Sequence, residues 1–189
     1  MHINERLQKI REKLLDDAFI EGRGLGNEIS FYIFDYDPKH ELIVRDEIKS
    51  LKKLFRQERY NRRIIEFDLY KILLEIARKK RIFDRIFEME KNQGNSYLYS
   101  ALVDFAIPDI FINYINNHVD DHNVIFITGV GKIYPFVRSH TILNQLQDKI
   151  EKIPVIMFYP GKYDGQSLML FGKFKDDNYY RAFQLIDHK

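Results

Sequence analysis

The chain has 189 residues, a formal net charge of +2, 45% hydrophobic and 31% charged residues, and no cysteine. That balance describes a single folded domain over 1–189 with a sizeable core, and excludes a disordered chain or a polycation. Disulfides, thiolate zinc sites and cysteine nucleophiles drop out, and no apolar run approaches the roughly 18 residues of a bilayer span.

The charged, amphipathic start MHINERLQKIREKLL lacks a secretory apolar core, so a cytoplasmic location is expected. Asn4 is positioned to cap a first helix whose apolar stripe is Leu7, Ile10, Leu14 and Ala18. Gly22, Gly24 and Gly26 follow. A helix before them and a strand after them is the reverse of a dinucleotide fingerprint, so they read as a connection. Residues 29–36, ISFYIFDY, form the clearest early strand, with Asp35 and Asp37 at its end before Pro38. Paired carboxylates there suit a magnesium ion or acid–base chemistry; Asp-x-Asp-Pro is equally a good turn.

A helix is expected over 41–56, a short strand over 64–67, and a helix capped by Asp68 that carries Leu69, Ile72, Leu73 and Ile76. A further helical stretch spans 82–91, residues 92–95 form a loop, 97–105 is helical, and Pro108 opens a helix running towards Asn117. Between Arg45 and Arg85 the chain places fourteen Lys or Arg against seven acids. Lys52, Lys53, Arg56, Arg59, Arg62 and Arg63 are therefore candidates for phosphate contact, with a solvated helix face as the plain alternative. His118, Asp120, Asp121 and His122 have metal-ligand chemistry, but they stand where a helix ends and read better as a polar loop.

Residues 124–171 organise the rest. Two apolar runs, 124–127 and 154–159, have the length and composition of buried strands, and between them Val137, Ile142, Leu146 and Ile150 recur at helical intervals. A strand–helix–strand unit of this kind pairs its strands in parallel. Turn-rich loops at 129–132 and 160–165 follow the carboxyl ends of those strands, the edge where α/β sheets meet ligands and partners. Gly129-Val130-Gly131-Lys132 fails as a phosphate loop: one residue separates the glycines and Ile133 follows the lysine. Gly129, Gly131, Lys132 and His140 remain candidates for holding an anion. Ser139 and His140 are adjacent and point about 100° apart in a helix, which does not make a hydrolase pair. Tyr134, Arg138, Tyr159, Tyr163 and Arg181, with Tyr179 and Tyr180 nearby, have the residue types of protein-interface anchors and also of core-edge packing. A last strand is expected over 180–186.

The blocks GVGKIYPFVRSHTILNQLQ, IPVIMFYPGKYDGQSLMLFG and KDDNYYRAFQLI resemble the signature blocks of the BrxB family of bacterial BREX (bacteriophage exclusion) systems. The resemblance runs over essentially the whole chain and is densest from 124 to 186. It implies a small cytoplasmic α/β component of a system that also contains a large ATPase, an adenine methyltransferase and an alkaline-phosphatase-like protein, PglZ. It implies PglZ as the partner and supplies no catalytic position to carry over. The expectation is a three-layer α/β domain with a mainly parallel sheet of four to five strands and helices on both faces. Its expected role is a non-catalytic adaptor without cofactor or membrane contact. DNA contact through the basic middle is the alternative, and a metal-dependent enzyme built on Asp35, Asp37 and Asp164 the third.

Overall fold

A computed structural model describes residues 1–21, 30–57, 60, 62–119, 124–150, 153–176 and 181–188. The glycines at 22–26, Arg59, residues 120–122, Tyr179 and Tyr180 lie outside the described residues. Seven strands are present among those described: β1 (Phe31–Tyr36), β2 (Ile64–Asp68), β3 (Val124–Thr128), β4 (Val155–Tyr163), β5 (Leu168–Leu170), β6 (Phe174–Asp176) and β7 (Phe183–Gln184). Five of them form a parallel sheet in the order β2-β3-β4-β1-β7, and β5 and β6 extend the end of β4 as an antiparallel hairpin. The expected α/β architecture is the one observed. All five residues of β3 are buried, as a parallel strand covered on both sides requires.

Period-two alternation divides the sheet's side chains between two cores. On one face Phe34, Phe126, Ile156 and Phe158 meet helices α1 (Ile3–Leu15) and α3 (Glu41–Phe55), through Leu7, Ile10, Leu14, Val44, Ile48, Leu51 and Phe55. On the other, Ile33, Ile125, Ile127, Val155 and Met157 meet α4 (Leu69–Lys79), α6 (Pro108–Asn116), α7 (Val130–Ile133) and α8 (Ser139–Gln147). Each buried Leu, Ile or Phe of this kind contributes about 1.5–3 kcal/mol relative to exposure. A short α2 (Asp17–Ile20) follows α1. The cap of α1 is His2 rather than Asn4: its ring accepts the Asn4 amide while Glu5 reaches back to the His2 amide, a reciprocal capping box. Asp68 does cap α4, accepting the amides of Tyr70 and Lys71 at 3.1 and 3.2 Å.

Helix α5 (Phe83–Phe105) is continuous except at Gly94, whose φ of 80° and ψ of 172° break it into two arms where a loop was expected. None of its residues is buried. No single helix among the described residues is long and apolar enough to cross a membrane. Tyr114 of α6 donates to Glu75 of α4 at 2.7 Å, and Lys79 pairs with the same carboxylate at 2.9 Å. The phenol is pushed up to about 12, chiefly by burial and then by Glu75; the Tyr114 hydroxyl, then Lys79, holds the Glu75 carboxyl below its ordinary value. Tyr114→Phe should therefore raise the Glu75 pKa towards the ordinary value, read by carboxyl carbon shifts in an NMR titration. The pair's contribution is present above the unfolded-state pKa and is lost as pH falls through the lower folded value. An unmoved Glu75 titration would mean that Lys79 alone sets it.

Two expectations about the sheet change. Residues 160–163 continue β4 instead of forming a loop, because the Phe171 amide bonds the Pro160 carbonyl at 2.9 Å and Gly161 lies against the β5 backbone. A Cβ on Gly161 would come within 2.2 Å of the Met169 carbonyl oxygen, so this glycine serves a close strand approach rather than a turn. The final strand is shorter than expected: Phe183 and Gln184 pair with Tyr32 and Ile33.

Candidate functional site

At the carboxyl edge of the sheet, Asp35, the next-to-last residue of β1, has only 1% exposure. Its carboxylate accepts from Arg6 Nη2 at 3.0 Å and from the Tyr163 amide at 3.1 Å, and its Oδ2 lies 2.8 Å from His188 Nε2. Arg6, 4% exposed, also donates to the Asp35 and Ile186 carbonyls and stacks over the Phe34 ring at 4.7 Å. Asp35 is thus a junction joining α1, β1, β4 and the segment after β7. Beside it opens a cleft of about 340 Å³ lined by Arg6, Asp35, Asp37, His40, Lys162 and His188.

The other two carboxylates have separate local tasks. Asp37 caps the 3₁₀ turn Pro38–His40; the Lys39 amide at 3.0 Å and then its ammonium lower its pKa. Asp164 closes the β4–β5 turn through the Ser167 and Gln166 amides at 2.7 and 2.9 Å, which lower its pKa in that order. Among the described residues no three His, Asp or Glu are grouped to hold a metal ion. Asp35, Asp37 and Asp164 therefore do not assemble the metal centre that the enzyme alternative needs.

The loop after β3 is occupied rather than open. Gly129 has φ 75° and ψ 11°, and Lys132, one turn on, pairs with Asp68. A Cβ on Gly129 would lie 2.3 Å from Asp68 Oδ1, and one on Gly131 would lie 2.8 Å from the Phe171 ring. Of the expected anion cradle of Gly129, Gly131, Lys132 and His140, the lysine charge is met by the Asp68 carboxylate and the Phe171 ring lies against the second glycine. His140 sits half-buried on α8.

Of the expected interface anchors, Tyr159 and Tyr163 are 2% and 3% exposed, and the Tyr163 hydroxyl donates to the Ala182 carbonyl at 2.6 Å. They alternate with Phe158 and Lys162 and share the inner face of Val155 and Met157, so neither can anchor an outside partner. Tyr134 is half-buried, and Arg138 and Arg181 are exposed. The Arg181 carbonyl accepts from Gln147 Nε2 at 2.5 Å. Around Tyr134 the structure adds rings that sequence reasoning passed over. Phe174 lies 5.0 Å from Tyr134 and 6.5 Å from Phe171, and Phe136 lies 6.1 Å from Tyr99 of α5. Phe174 and Tyr99 are each 47% exposed. Lys173-Phe174-Lys175, an aromatic between two lysines in a polar stretch, was the available signal.

The basic middle does not form one face. Helix α3, with Lys52 and Lys53, covers one side of the sheet and α4, with Lys71, Arg78 and Lys79, the other, so the cations of the 45–85 stretch are divided between two surfaces. Lys52 pairs with Glu66 at 2.7 Å, and Arg62 pairs with Asp17 and donates to the Leu14 carbonyl. Lys53, Arg56 and Arg63 stay exposed, and Arg63 has an interaction partner. Of the six residues expected to contact phosphate, Lys52 and Arg62 thus already hold carboxylate partners, and Arg59 lies outside the described residues.

A sequence model of the family described as "BREX protein BrxB" matches residues 65–185. The chain is 47% identical over 189 residues to "BREX protein BrxB" of Bacillus cereus (strain H3081.97), covering 98% of both chains. It is 32% identical over 183 residues to the protein of the same description from Escherichia coli O9:H4 (strain HS), covering 96% of this chain and 90% of the other. No solved structure matches it.

Proposed function

Because the chain belongs to the BrxB family of BREX proteins, and is thereby a component of a bacteriophage-exclusion system, we propose that it works as a cytoplasmic, non-catalytic adaptor. Its partner in this reading is the alkaline-phosphatase-like component, PglZ. The observation that carries the reading is a strip of two ring pairs, Tyr99–Phe136 and Tyr134–Phe174, in which Tyr99 and Phe174 are exposed and Tyr134 and Phe136 half-buried, with Arg138 beside the second pair. Aromatic residues and arginine are the types enriched at protein interfaces, and a few of them hold most of the binding energy. The strip lies on α5, the turn before α8 and the β5–β6 hairpin, so it is presented by three elements and not by one mobile side chain.

The test is capture of each co-encoded BREX component by the purified chain, followed by affinity measurement with Phe174→Ala and Arg138→Ala. Each variant should retain the native circular dichroism spectrum, since both side chains are exposed. If either residue is a hot spot, affinity should fall by about 2 kcal/mol or more, roughly thirtyfold. PglZ capture that both variants leave unchanged would remove the strip from the interface. Capture of a different component, with PglZ left unbound, would replace the partner.

A further inference from the structure

The segments that build the ring strip share a property beyond their aromatics. Residues 92–103, 129–147 and 165–175 contain no aspartate or glutamate, in a chain with 28 acids among 189 residues. At the chain's average frequency those stretches would hold about six. They do carry Lys132, Arg138, Lys173 and Lys175. Asp68 takes up the Lys132 charge, but among the described residues neither Arg138 nor Lys173 has a carboxylate partner. Both are exposed. Arg138 lines the same small hollow as Tyr134, Leu170 and Phe174, and Lys173 directly precedes Phe174. The result is a set of ring contacts with two exposed cations at their edge, Arg138 and Lys173, neither paired to a carboxylate among the described residues, so the charge these segments offer a partner is positive.

We propose that this strip recognises an acidic protein segment studded with apolar side chains, the apolar groups lying on the rings of Tyr134, Phe174, Phe136 and Tyr99 and the carboxylates facing Arg138 and Lys173. The proposal rests on the adaptor reading and names the chemistry its partner must present. Potentials complementary in sign across an interface set its register and raise the encounter rate. A single-stranded nucleic acid is the less suitable occupant. Its bases need ring faces open for stacking along a groove of cations. Here the rings are turned towards one another, Tyr134 and Phe174 at 32° and Tyr99 and Phe136 at 39°, with Arg138 and Lys173 as the cations beside them.

The probes are a short synthetic peptide alternating glutamate with leucine, its lysine-for-glutamate counterpart, and an oligothymidylate, each titrated against the full chain by fluorescence anisotropy. The glutamate peptide should bind best, and raising the salt should weaken it. Arg138→Glu combined with Lys173→Glu should lower its affinity roughly tenfold at low salt and transfer the preference to the lysine peptide. Phe174→Ala should weaken the glutamate peptide at low and high salt alike. Equal binding of the two peptides by the unaltered chain, a preference that survives charge reversal, or tighter binding of oligothymidylate that Phe174→Ala abolishes would each overturn the proposal. The adaptor reading fails separately. If the peptide preference holds but no BREX component is captured, the strip chemistry stands and the assigned partner does not.

Discussion

Asp35→Ala is expected to destabilise the fold by about 3–5 kcal/mol, read as a lower midpoint in denaturant unfolding. The effect arises because the change removes one half of a buried pair. Arg6 would keep its bonds to the carbonyls of residues 35 and 186, but its guanidinium would sit at 4% exposure with no counter-charge. Arg6 Nε is already buried without a hydrogen-bond partner among the described residues, which leaves the group little room to compensate. The Tyr163 amide would lose its acceptor as well, at a further cost of about 1–3 kcal/mol if water cannot reach it. Asp35→Asn should cost less, since an amide oxygen can still accept. The double variant Arg6→Met, Asp35→Ala should cost less than the sum of its parts, because it removes the stranded charge. A single-variant loss below about 1 kcal/mol would show that water enters the junction and that the carboxylate does not hold it together.

Gly129→Ala should be the second large effect, about 2–4 kcal/mol, against about 1 kcal/mol for Gly165→Ala. Both glycines have positive φ, 75° and 90°, so both substitutions carry the strain of a left-handed conformation. They differ in what surrounds them. A Cβ at 165 meets nothing within 4 Å, whereas one at 129 collides with the Asp68 carboxylate. Moving Asp68 disturbs the cap of α4 and the Lys132 pair together. Thermal unfolding of the two variants side by side separates the backbone cost from the collision. Equal losses would mean that Asp68 rotates aside without penalty.

The parts of this fold that were legible beforehand are those where composition and period agree. Residues 124–127 are apolar throughout because both faces of a central parallel strand are covered, and Asp68 announces a helix start through its own hydrogen-bonding chemistry. Pro160-Gly161 misled because turn formers were taken at their usual value, while the glycine admits a neighbouring strand. The burial of Tyr159 and Tyr163 was readable in principle, since they fall in step with Val155 and Met157 along one strand face. Extending β4 past the proline was the missing step. The division of the basic middle between two faces was not readable, because it follows from strand order and not from the spacing of the charges. Phe174 and Tyr99 were hidden for a related reason: an aromatic on a polar stretch acquires meaning only when other rings from distant segments arrive beside it.

The position of β1 has a consequence for how a cell makes this protein. Phe31 of β1 pairs with Val155 of β4, and Tyr32 pairs with Phe183 of β7, so the earliest strand to leave the ribosome gains its first neighbour only after more than a hundred further residues and its second at the end of the chain. Until then its apolar edges and the Arg6–Asp35 pair await their completion, while β2 and β3 pair earlier on their own. Translation delivers the central strand, β4, only after β1, β2 and β3, and the edge strand β7 last. The nascent chain therefore passes through a long interval with an unclosed strand exposed, the period in which a holding chaperone or a slowed codon would matter most.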